Sequence, residues 1–295
     1  MTAPPRLRVG VIGTGRAGSV IGAALHRVGH TVVAVSAVSD LSQLRAQALL
    51  PGVPIVDISG VARAADLVVV AVPDDVLPDL LQGLAHAGVV KPGQFWVHLS
   101  GRYGTDVMDP VTKAGALPLA IHPIMTFTGT SMDLTRLEEC PFGVTAPDEL
   151  RSAAEALVIE IGGDPIWVPE EKRALYHAAL AFGSNYLVTL VAASAELLRQ
   201  AGVDEPQRVL TPLLSASLDN ALRMGDKALT GPVARGDAAT VAAHLEVIAD
   251  QSSTAADAYR ALARVTADRS VAAGLLSTSL AEALLDVLST NGGVK

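Results

Sequence analysis

The sequence has a single cysteine, few aromatic residues and no excess of positive charge. Because Cys140 is the only cysteine in 295 residues, no disulfide can form within the chain, and Met1 to Pro5 do not resemble the start of a signal peptide. Both features predict a cytoplasmic protein. The formal net charge is -8 at pH 7 and no Lys/Arg run exceeds two residues, so neither a nucleic acid nor an anionic membrane is an expected partner.

Charged residues are scarce as well, at 18% against 50% hydrophobic residues. This balance favours a well-cored globular protein with room for two domains. One uncharged stretch, Ala178 to Ala195, is long enough to resemble a membrane span. Its polar residues, Ser184, Asn185 and Thr189 among them, and the lack of a second such stretch instead favour a buried helix at the interface of a homodimer.

The N-terminal region combines a strand, a glycine turn and a helix. An apolar run from Leu7 to Ile12 leads into GTGRAG, a helix-forming stretch follows, and a second apolar run covers Thr31 to Ala37. In this order Gly13 makes the tight turn, Gly15 lets the backbone approach a pyrophosphate, and Gly18 allows close helix packing. The sequence therefore predicts a dinucleotide at the whole turn, which consists of Gly13, Thr14, Gly15, Arg16, Ala17 and Gly18.

The end of the second strand distinguishes NAD from NADP in this arrangement. An acidic side chain there accepts hydrogen bonds from the ribose hydroxyls of NAD and repels a 2′-phosphate. In the segment AVSAVSD, Ser36 and Ser39 stand about where that acid would be, which favours NADP, with Arg16 as a further phosphate contact. Asp40 keeps NAD as an alternative, because a small shift of the strand end would make it the ribose ligand.

A third apolar run, which begins at Leu67, ends as VVVAVPDD. Its last residues should lie at the carboxyl edge of the sheet, where open α/β sheets bind their ligands. We expect Val72, Pro73 and Asp74 to line the nicotinamide side of the cofactor.

Short apolar runs alternate with helical segments as far as Val168, which is typical of a doubly wound, mostly parallel α/β sheet. The strand candidates are Leu7–Ile12, Thr31–Ala37, Leu67–Val72, Phe95–Leu99, Pro118–Ile121, Phe142–Thr145 and Pro165–Val168, with a weaker one around Ile55. The rest of the chain contains only Ala/Leu-rich helical segments. We therefore predict a Rossmann-like domain over residues 1–168 and an all-helical domain over residues 169–295.

Three segments carry side chains that suit hydride-transfer chemistry, which needs a proton donor beside the reacting carbon. HLSG and IHPIMTF each follow a predicted strand, and YHAALAFGSNY is a helix with several polar residues on one face. A core histidine satisfied by the backbone is an equally good interpretation of His98 and His177, whereas His122 is a better candidate for substrate contact. The candidate catalytic residues are Ser100, His122, Tyr176, His177 and Asn185.

The segment LTGPVARGD is expected to be a loop between two helices of the second domain. Arg235 in this loop could hold a substrate carboxylate. The alternative is a solvated loop in which Asp237 caps the next helix.

The segments HLSG, HP followed by IMTF, YHAALAFGSNY and LTGPVARGD resemble those of Rossmann enzymes with helical C-terminal domains. This group includes ketopantoate reductase, pyrroline-5-carboxylate reductase, prephenate dehydrogenase and NADP:coenzyme F420 oxidoreductase. Within the group the whole chain is similar to an uncharacterised, actinobacterial-type family with a Rossmann-like domain and a C-terminal helical domain of unknown function. The resemblance implies an oxidoreductase of small molecules and supports a homodimer through the helical domain.

The resemblance also implies roles for individual residues. In prephenate dehydrogenases the histidine of an HP motif lies at the substrate hydroxyl and a serine after the preceding strand lies near it, and His122 and Ser100 occupy those places here. A helical histidine followed by serine and a second histidine corresponds to His177, Ser184 and Asn185. Because Asn185 replaces the second histidine, prephenate is not the expected substrate.

Ketopantoate reductase uses a lysine and an asparagine one helical turn apart. Here Lys172 is followed four residues later by Tyr176, so that pair is absent and His122, Asn185 or Tyr176 would have to replace it. The resemblance includes frequent association with pantothenate-synthesis proteins, which keeps a ketopantoate-like substrate under consideration.

The sequence thus predicts an NADP(H)-dependent oxidoreductase that reduces a small carbonyl or imine compound, in particular a carboxylic acid such as a 2-oxo acid. The alternative is a sensor or partner-binding protein of the same fold, which binds NAD(P) without turnover. The absent Lys/Asn pair favours the alternative, and the polar residues clustered at the expected sheet edge favour the enzyme.

Overall fold

The computed structural model describes residues 6–289. The chain divides into two compact units, the first ending at Ala181 and the second beginning at Phe182. The first unit contains a seven-stranded sheet in the order β2-β1-β3-β4-β5-β6-β7. Its strands are β1 Arg8–Ile12, β2 Thr31–Ser36, β3 Leu67–Val70, β4 Phe95–His98, β5 Leu117–Pro123, β6 Pro141–Thr145 and β7 Asp164–Trp167.

The predicted class, a mostly parallel sheet with helices on both faces, is confirmed. All neighbouring strands are parallel except β5 and β6, which pair antiparallel. Within the first unit the helices are α1 Arg16–Arg27, α2 Asp40–Leu49, α3 Ile58–Ala64, α4 Leu77–His86, α5 Asp109–Lys113, α6 Met132–Arg136 and α7 Arg151–Glu160.

Successive side chains of a strand point to opposite faces of the sheet, and this alternation explains why helices cover both faces. In β3, Leu67 and Val69 belong to one hydrophobic cluster, whereas Val68 and Val70 belong to another on the opposite face. The first cluster includes residues of α1 and the second includes residues of α4. Since all four β3 side chains are buried, this strand is continuously apolar, as expected for a parallel strand covered twice.

A long helix, α8 Arg173–Gln200, begins in the first unit, and the division between the units falls within it. It is followed by α9 Pro206–Met224, α10 Gly231–Arg235, α11 Ala238–Gln251, α12 Ser253–Ala272 and α13 Thr278–Ser289. The described part of the second unit contains no strand, as predicted. Its core lies among α10 to α13, where Val241, Leu284 and Leu288 are fully buried.

Two local expectations were wrong. Ile55 forms only an isolated bridge with Val35 rather than a strand. LTGPVARGD contains the short helix α10, which Pro232 in its first turn favours and Gly236 ends in a left-handed conformation. Within the single chain the helix from Ala178 to Ala195 is exposed, with Tyr186 at 61% and Val188 at 70%, and its burial at a homodimer interface stays a prediction.

The same helix satisfies the length and hydropathy criteria of a membrane span. One such helix is weak evidence, because the core and interface helices of soluble proteins meet the same criteria.

Candidate active site

The glycine turn has the geometry that its spacing predicts. Gly13 lies at φ 90°, and a Cβ there would approach the Ala71 carbonyl oxygen to 2.5 Å. A Cβ on Gly18 would overlap the carbonyl oxygen of Gly13, so α1 packs against the turn only because this residue has no side chain. Around Gly15, by contrast, no protein atom lies within 4 Å of the Cβ position. The open space therefore lies at the one glycine that should face a pyrophosphate.

The N-terminus of α1 has hydrogen-bond donors available. Gly15 is its N-cap and no side chain caps the helix, so the first backbone N–H groups have no side-chain acceptor there. Ala17 lies in this first turn, and Arg16, the first helical residue, is exposed. Such a terminus suits an anion.

Ser36 and Thr14 brace the turn from the end of β2. The Ser36 hydroxyl is 5% exposed and accepts a hydrogen bond from the Gly13 N–H at 3.0 Å. The Thr14 N–H donates to the Ser36 carbonyl at 3.1 Å, and the Thr14 hydroxyl donates to the Ser42 carbonyl at 3.0 Å. Ser39 caps α2. Both candidate phosphate serines therefore already have structural hydrogen bonds.

The VPDD turn follows β3 at the same edge of the sheet. A Cβ on Gly13 would lie 3.5 Å from Val72 Cγ1, so this side chain borders the glycine turn. Pro73 accepts backbone hydrogen bonds from Val76 and Leu77 as α4 begins, and Asp74 lies in between, partly exposed.

His98 is a structural histidine. It is fully buried, its Nε2 donates to the Gly104 carbonyl at 2.7 Å, and its Nδ1 accepts from the Ser100 N–H at 3.2 Å. Burial is the main cause that lowers the pKa of His98 to about 4, so this ring is neutral at ordinary pH. The Ser100 hydroxyl in turn accepts from the N–H groups of Arg102 and Tyr103, which places it at the base of this turn.

His122, Tyr176 and His177 lie together. Nδ1 of His122 is 2.8 Å from the hydroxyl oxygen of Tyr176, and the rings of His122 and His177 are perpendicular with centroids 6.2 Å apart. Tyr176 and His177 are on the first turns of α8, whereas His122 is in β5. The cluster therefore joins the helix to the carboxyl end of the strand.

Two glycines that were not among the predicted site residues make room for this cluster. A Cβ on Gly101 would lie 2.9 Å from atoms of both His122 and His177. A Cβ on Gly143, the β6 partner of His122, would overlap the Tyr176 hydroxyl. Gly101 belongs to the HLSG motif, which could have pointed to it, but no local pattern marks Gly143.

Arg173 is the other residue that the sequence did not indicate. It is 1% exposed, and its guanidinium donates to the carbonyls of Ala120 and Gly143 and to the hydroxyl of Thr145, at 2.9, 3.0 and 2.7 Å. Its Nη1 is buried without a hydrogen-bond partner among the described residues. Arg173 ends the charged segment EEKR, which precedes an apolar helix. In that segment Lys172, not Arg173, was compared with the residues of known enzymes.

The electrostatics follow from this burial. Desolvation first, and then the charge of Arg173, lower the pKa of His122 to about 4. Burial raises the pKa of Tyr176 to about 12, although the nearby Arg173 opposes this shift. The pair is therefore neutral at ordinary pH, with one proton shared between Nδ1 and the hydroxyl oxygen.

The remaining candidates belong to the second unit. Asn185 is exposed on α8, and Arg235 is the exposed last residue of α10. Asp237 caps α11 by accepting a hydrogen bond from the Thr240 N–H at 3.0 Å, as one of the two interpretations had it. This unit also contains a mostly apolar cavity of about 410 Å³ beside His244 and Tyr259. No group of three metal-ligating side chains was found in residues 6–289.

Comparisons with known proteins agree with this architecture. Residues 1–123 match the family model of a Rossmann-like domain, and residues 140–266 match DUF2520, a domain of unknown function. The chain therefore combines a match to a Rossmann-like domain with a match to DUF2520 further along. No curated protein sequence matches it significantly.

Solved structures share the fold at low sequence identity. A proposed NADP oxidoreductase from Bacteroides fragilis is 23% identical with a TM-score of 0.75, over 89% of this chain and 98% of that one. An imine reductase from Pseudomonas sp. is 20% identical with a TM-score of 0.63, over 96% and 100%. The pyrroline carboxylate reductase of Plasmodium falciparum, with NADP bound, is 12% identical with a TM-score of 0.54, over 90% and 98%.

The low pKa of His122 has a measurable consequence for stability. Since this pKa falls from 6.5 to about 4 on folding, the unfolded chain binds more protons between these values, and stability falls as the pH is lowered through that window. Replacing His122 by Gln should flatten the dependence of unfolding free energy on pH by up to about 1.4 kcal/mol per pH unit. Urea unfolding across the window measures it.

The exposed His86, at the end of α4, provides the matched control. If His86→Gln flattened the curve as much as His122→Gln, the low pKa would not belong to His122.

Proposed function

We propose that this protein is an NADP(H)-dependent oxidoreductase that reduces a small carbonyl or imine compound. One observation carries the proposal. The open glycine turn follows β1 and the His122–Tyr176 pair stands at the end of β5, at the same carboxyl edge of one sheet. Ligands of open α/β sheets bind at that edge.

The residues present fit a dinucleotide. The vacant surroundings of Gly15 and the uncapped N-terminus of α1 suit the pyrophosphate. Val72 and the turn that includes Pro73 and Asp74 would lie on the nicotinamide side, since this turn borders Gly13. When bound, the reduced nicotinamide supplies the hydride. NADP is proposed first and NAD second, and the NADP complex of the pyrroline carboxylate reductase with this fold supports that order.

The His122–Tyr176 pair would supply the proton. If the Tyr176 hydroxyl donates to Nδ1, then the neutral His122 ring carries its single N–H proton on Nε2, for which no hydrogen bond is recorded among the described residues. Nε2 could then donate to the substrate oxygen or nitrogen while Nδ1 takes the proton of Tyr176. The guanidinium of Arg173, 5.7 Å from the Tyr176 ring, would stabilise the tyrosinate left behind.

Other residues would have supporting roles. His177 lies beside His122 and would contact the substrate, and Ser100 would shape the neighbouring turn. Asn185 and Arg235 are proposed as further substrate contacts, with Arg235 suited to a carboxylate. The substrate class that we propose is a small imine or 2-oxo acid, because imine reductases share the fold and the sequence resembles enzymes of such acids.

We also propose a soluble, cytoplasmic homodimer formed through the second unit. The exposed apolar side chains of α8 support this, since Phe182, Tyr186 and Val188 are between 61% and 70% exposed. Covering them with a second copy would remove a large apolar surface from water. A membrane is the competing explanation for the same helix.

Cofactor binding is tested at Gly15. Its backbone is extended, at φ -67° and ψ -164°, and its Cβ position is open, so Gly15→Val should fold normally but fill the pyrophosphate site. We expect calorimetry to show NADPH binding weakened by about 100-fold or more, the order expected if charge-assisted hydrogen bonds are lost. Gly83→Val, at another glycine with an open Cβ position, is the control. Unchanged affinity in Gly15→Val would refute the assignment of this turn.

Proton supply is tested at the pair itself. His122→Gln and Tyr176→Phe should each lower kcat by about 100-fold or more, because a positioned proton donor contributes on that scale, while NADPH affinity stays the same. NADPH oxidation with cyclic imines and 2-oxo acids gives the rates.

Tyr259→Phe removes a comparable hydrogen bond, to His244 at 3.0 Å, and should preserve the rate. Full activity of both site variants would exclude the proposed donor. NADPH binding without turnover of any compound would favour a sensor.

Assembly is tested on α8. The purified protein should be a dimer in light scattering at micromolar concentration, and Val188→Lys should shift it to the monomer by placing a charge in an apolar interface. Val38→Lys, at an exposed position of the first unit, should leave the dimer intact. A monomeric wild-type protein would overturn the proposed dimer, and recovery of the protein only with membranes would favour the span.

A further inference from the structure

Two arginines and a glycine meet beside the glycine turn. A Cβ on Gly129, which has φ 79°, would lie 2.7 Å from Arg45 Nε and 3.2 Å from both Cα and Cγ of Arg16. Arg16 is the first residue of α1, and Arg45 is in the middle of α2. The two side chains therefore border the same point of the segment between β5 and α6.

Asp133 holds that segment in place. This carboxylate is fully buried, and its Oδ2 accepts from the N–H groups of Thr128 and Gly129, each at 2.8 Å. Its Oδ1 accepts from the Thr128 hydroxyl at 3.0 Å. Burial by itself raises the pKa of Asp133, but hydrogen bonds from Gly129 and Thr128 outweigh it and the pKa is lowered. The turn is thus preorganised against the arginines.

Neither arginine has a carboxylate partner in the part of the chain that the structure describes. Within residues 6–289, Arg16 and Arg45 take part in none of the ion pairs and in none of the side-chain hydrogen bonds that the structure records. Asp40, the nearest acid along α2, lies five residues before Arg45 and is exposed. Both cationic side chains border the same glycine, so an anion bound there would supply a counter-charge to both.

We propose that Arg16 and Arg45 bind the 2′-phosphate of NADP. This proposal rests on the proposed function, since it assumes a dinucleotide at the glycine turn. In this fold the adenosine ribose of the cofactor lies at the end of β2. Helix α2, which contains Arg45, begins after a linker of three residues from that strand end.

The chemistry matches a phosphate monoester better than a ribose hydroxyl. Guanidinium groups bind phosphate oxygens in a planar, charge-assisted geometry, and a hydroxyl group offers no charge for them to balance. Ser36 and Ser39 are engaged in the glycine turn and the α2 cap. The discrimination between NADP and NAD therefore depends on α2 and the Gly129 turn rather than on the last residue of β2.

Calorimetry with two pairs of ligands tests the site without turnover. The pairs are NADPH with NADH, and 2′,5′-ADP with 5′-AMP, which differ only by the phosphate. Arg45→Gln should lower the affinity for NADPH and for 2′,5′-ADP by about 10- to 100-fold, the range of a charge-assisted hydrogen bond. The affinities for NADH and 5′-AMP should stay the same. Arg16→Gln should act in the same direction, and Arg45→Lys should recover part of the loss.

Arg63→Gln on α3 and Arg27→Gln at the end of α1 are the controls, because both arginines are exposed on helices of the first unit. The phosphate site is refuted if Arg45→Gln lowers the affinity for both members of a pair equally, or for neither. In that case NADPH binding by the wild-type protein still supports the proposed function. If the wild-type protein binds none of the four ligands, the proposed function fails as well.

Discussion

The buried guanidinium of Arg173 is the interaction on which the arrangement of the site depends. It crosses from the first residue of α8 to two neighbouring strands and donates to the carbonyls of Ala120 and Gly143. Burying a cation is costly unless hydrogen bonds compensate, and three such bonds do so here. Because Tyr176 and His177 follow within one helical turn, fixing Arg173 also fixes them beside His122 at the antiparallel junction of β5 and β6.

His98 and His122 show how similar local sequences reach different environments. Each stands at or near the end of a strand, and burial lowers both pKa values to about 4. In His98, however, both ring nitrogens form hydrogen bonds with the backbone of the turn that follows it. His122 makes its recorded hydrogen bond to a side chain 54 residues away. Both nitrogens of the first ring are therefore engaged, whereas Nε2 of the second has no hydrogen bond recorded among residues 6–289.

Local pattern predicted the fold well and the site less well. The seven strands, the glycine turn and the helical second unit follow from periodicity and from glycine chemistry, both of which act over a few residues. His122, Tyr176 and His177 were identified as candidates, but their hydrogen bond and close packing were not. Arg173, Gly143 and Arg45 were missed because their partners lie far along the chain. How α8 is covered could not be predicted, because an apolar helix alone does not reveal what packs against it.

The net charge of this protein is negative, whereas the side chains Arg16 and Arg45 near the glycine turn are positive. A net charge of -8 disfavours anionic partners in general, so an anionic ligand must be bound by local donors that the global field does not provide. Arg16, Arg45 and the free N–H groups of α1 concentrate positive potential around the glycine turn. Repulsion from the rest of the surface would then penalise nonspecific anions, and only a ligand that engages the turn and both arginines together would gain enough to offset it.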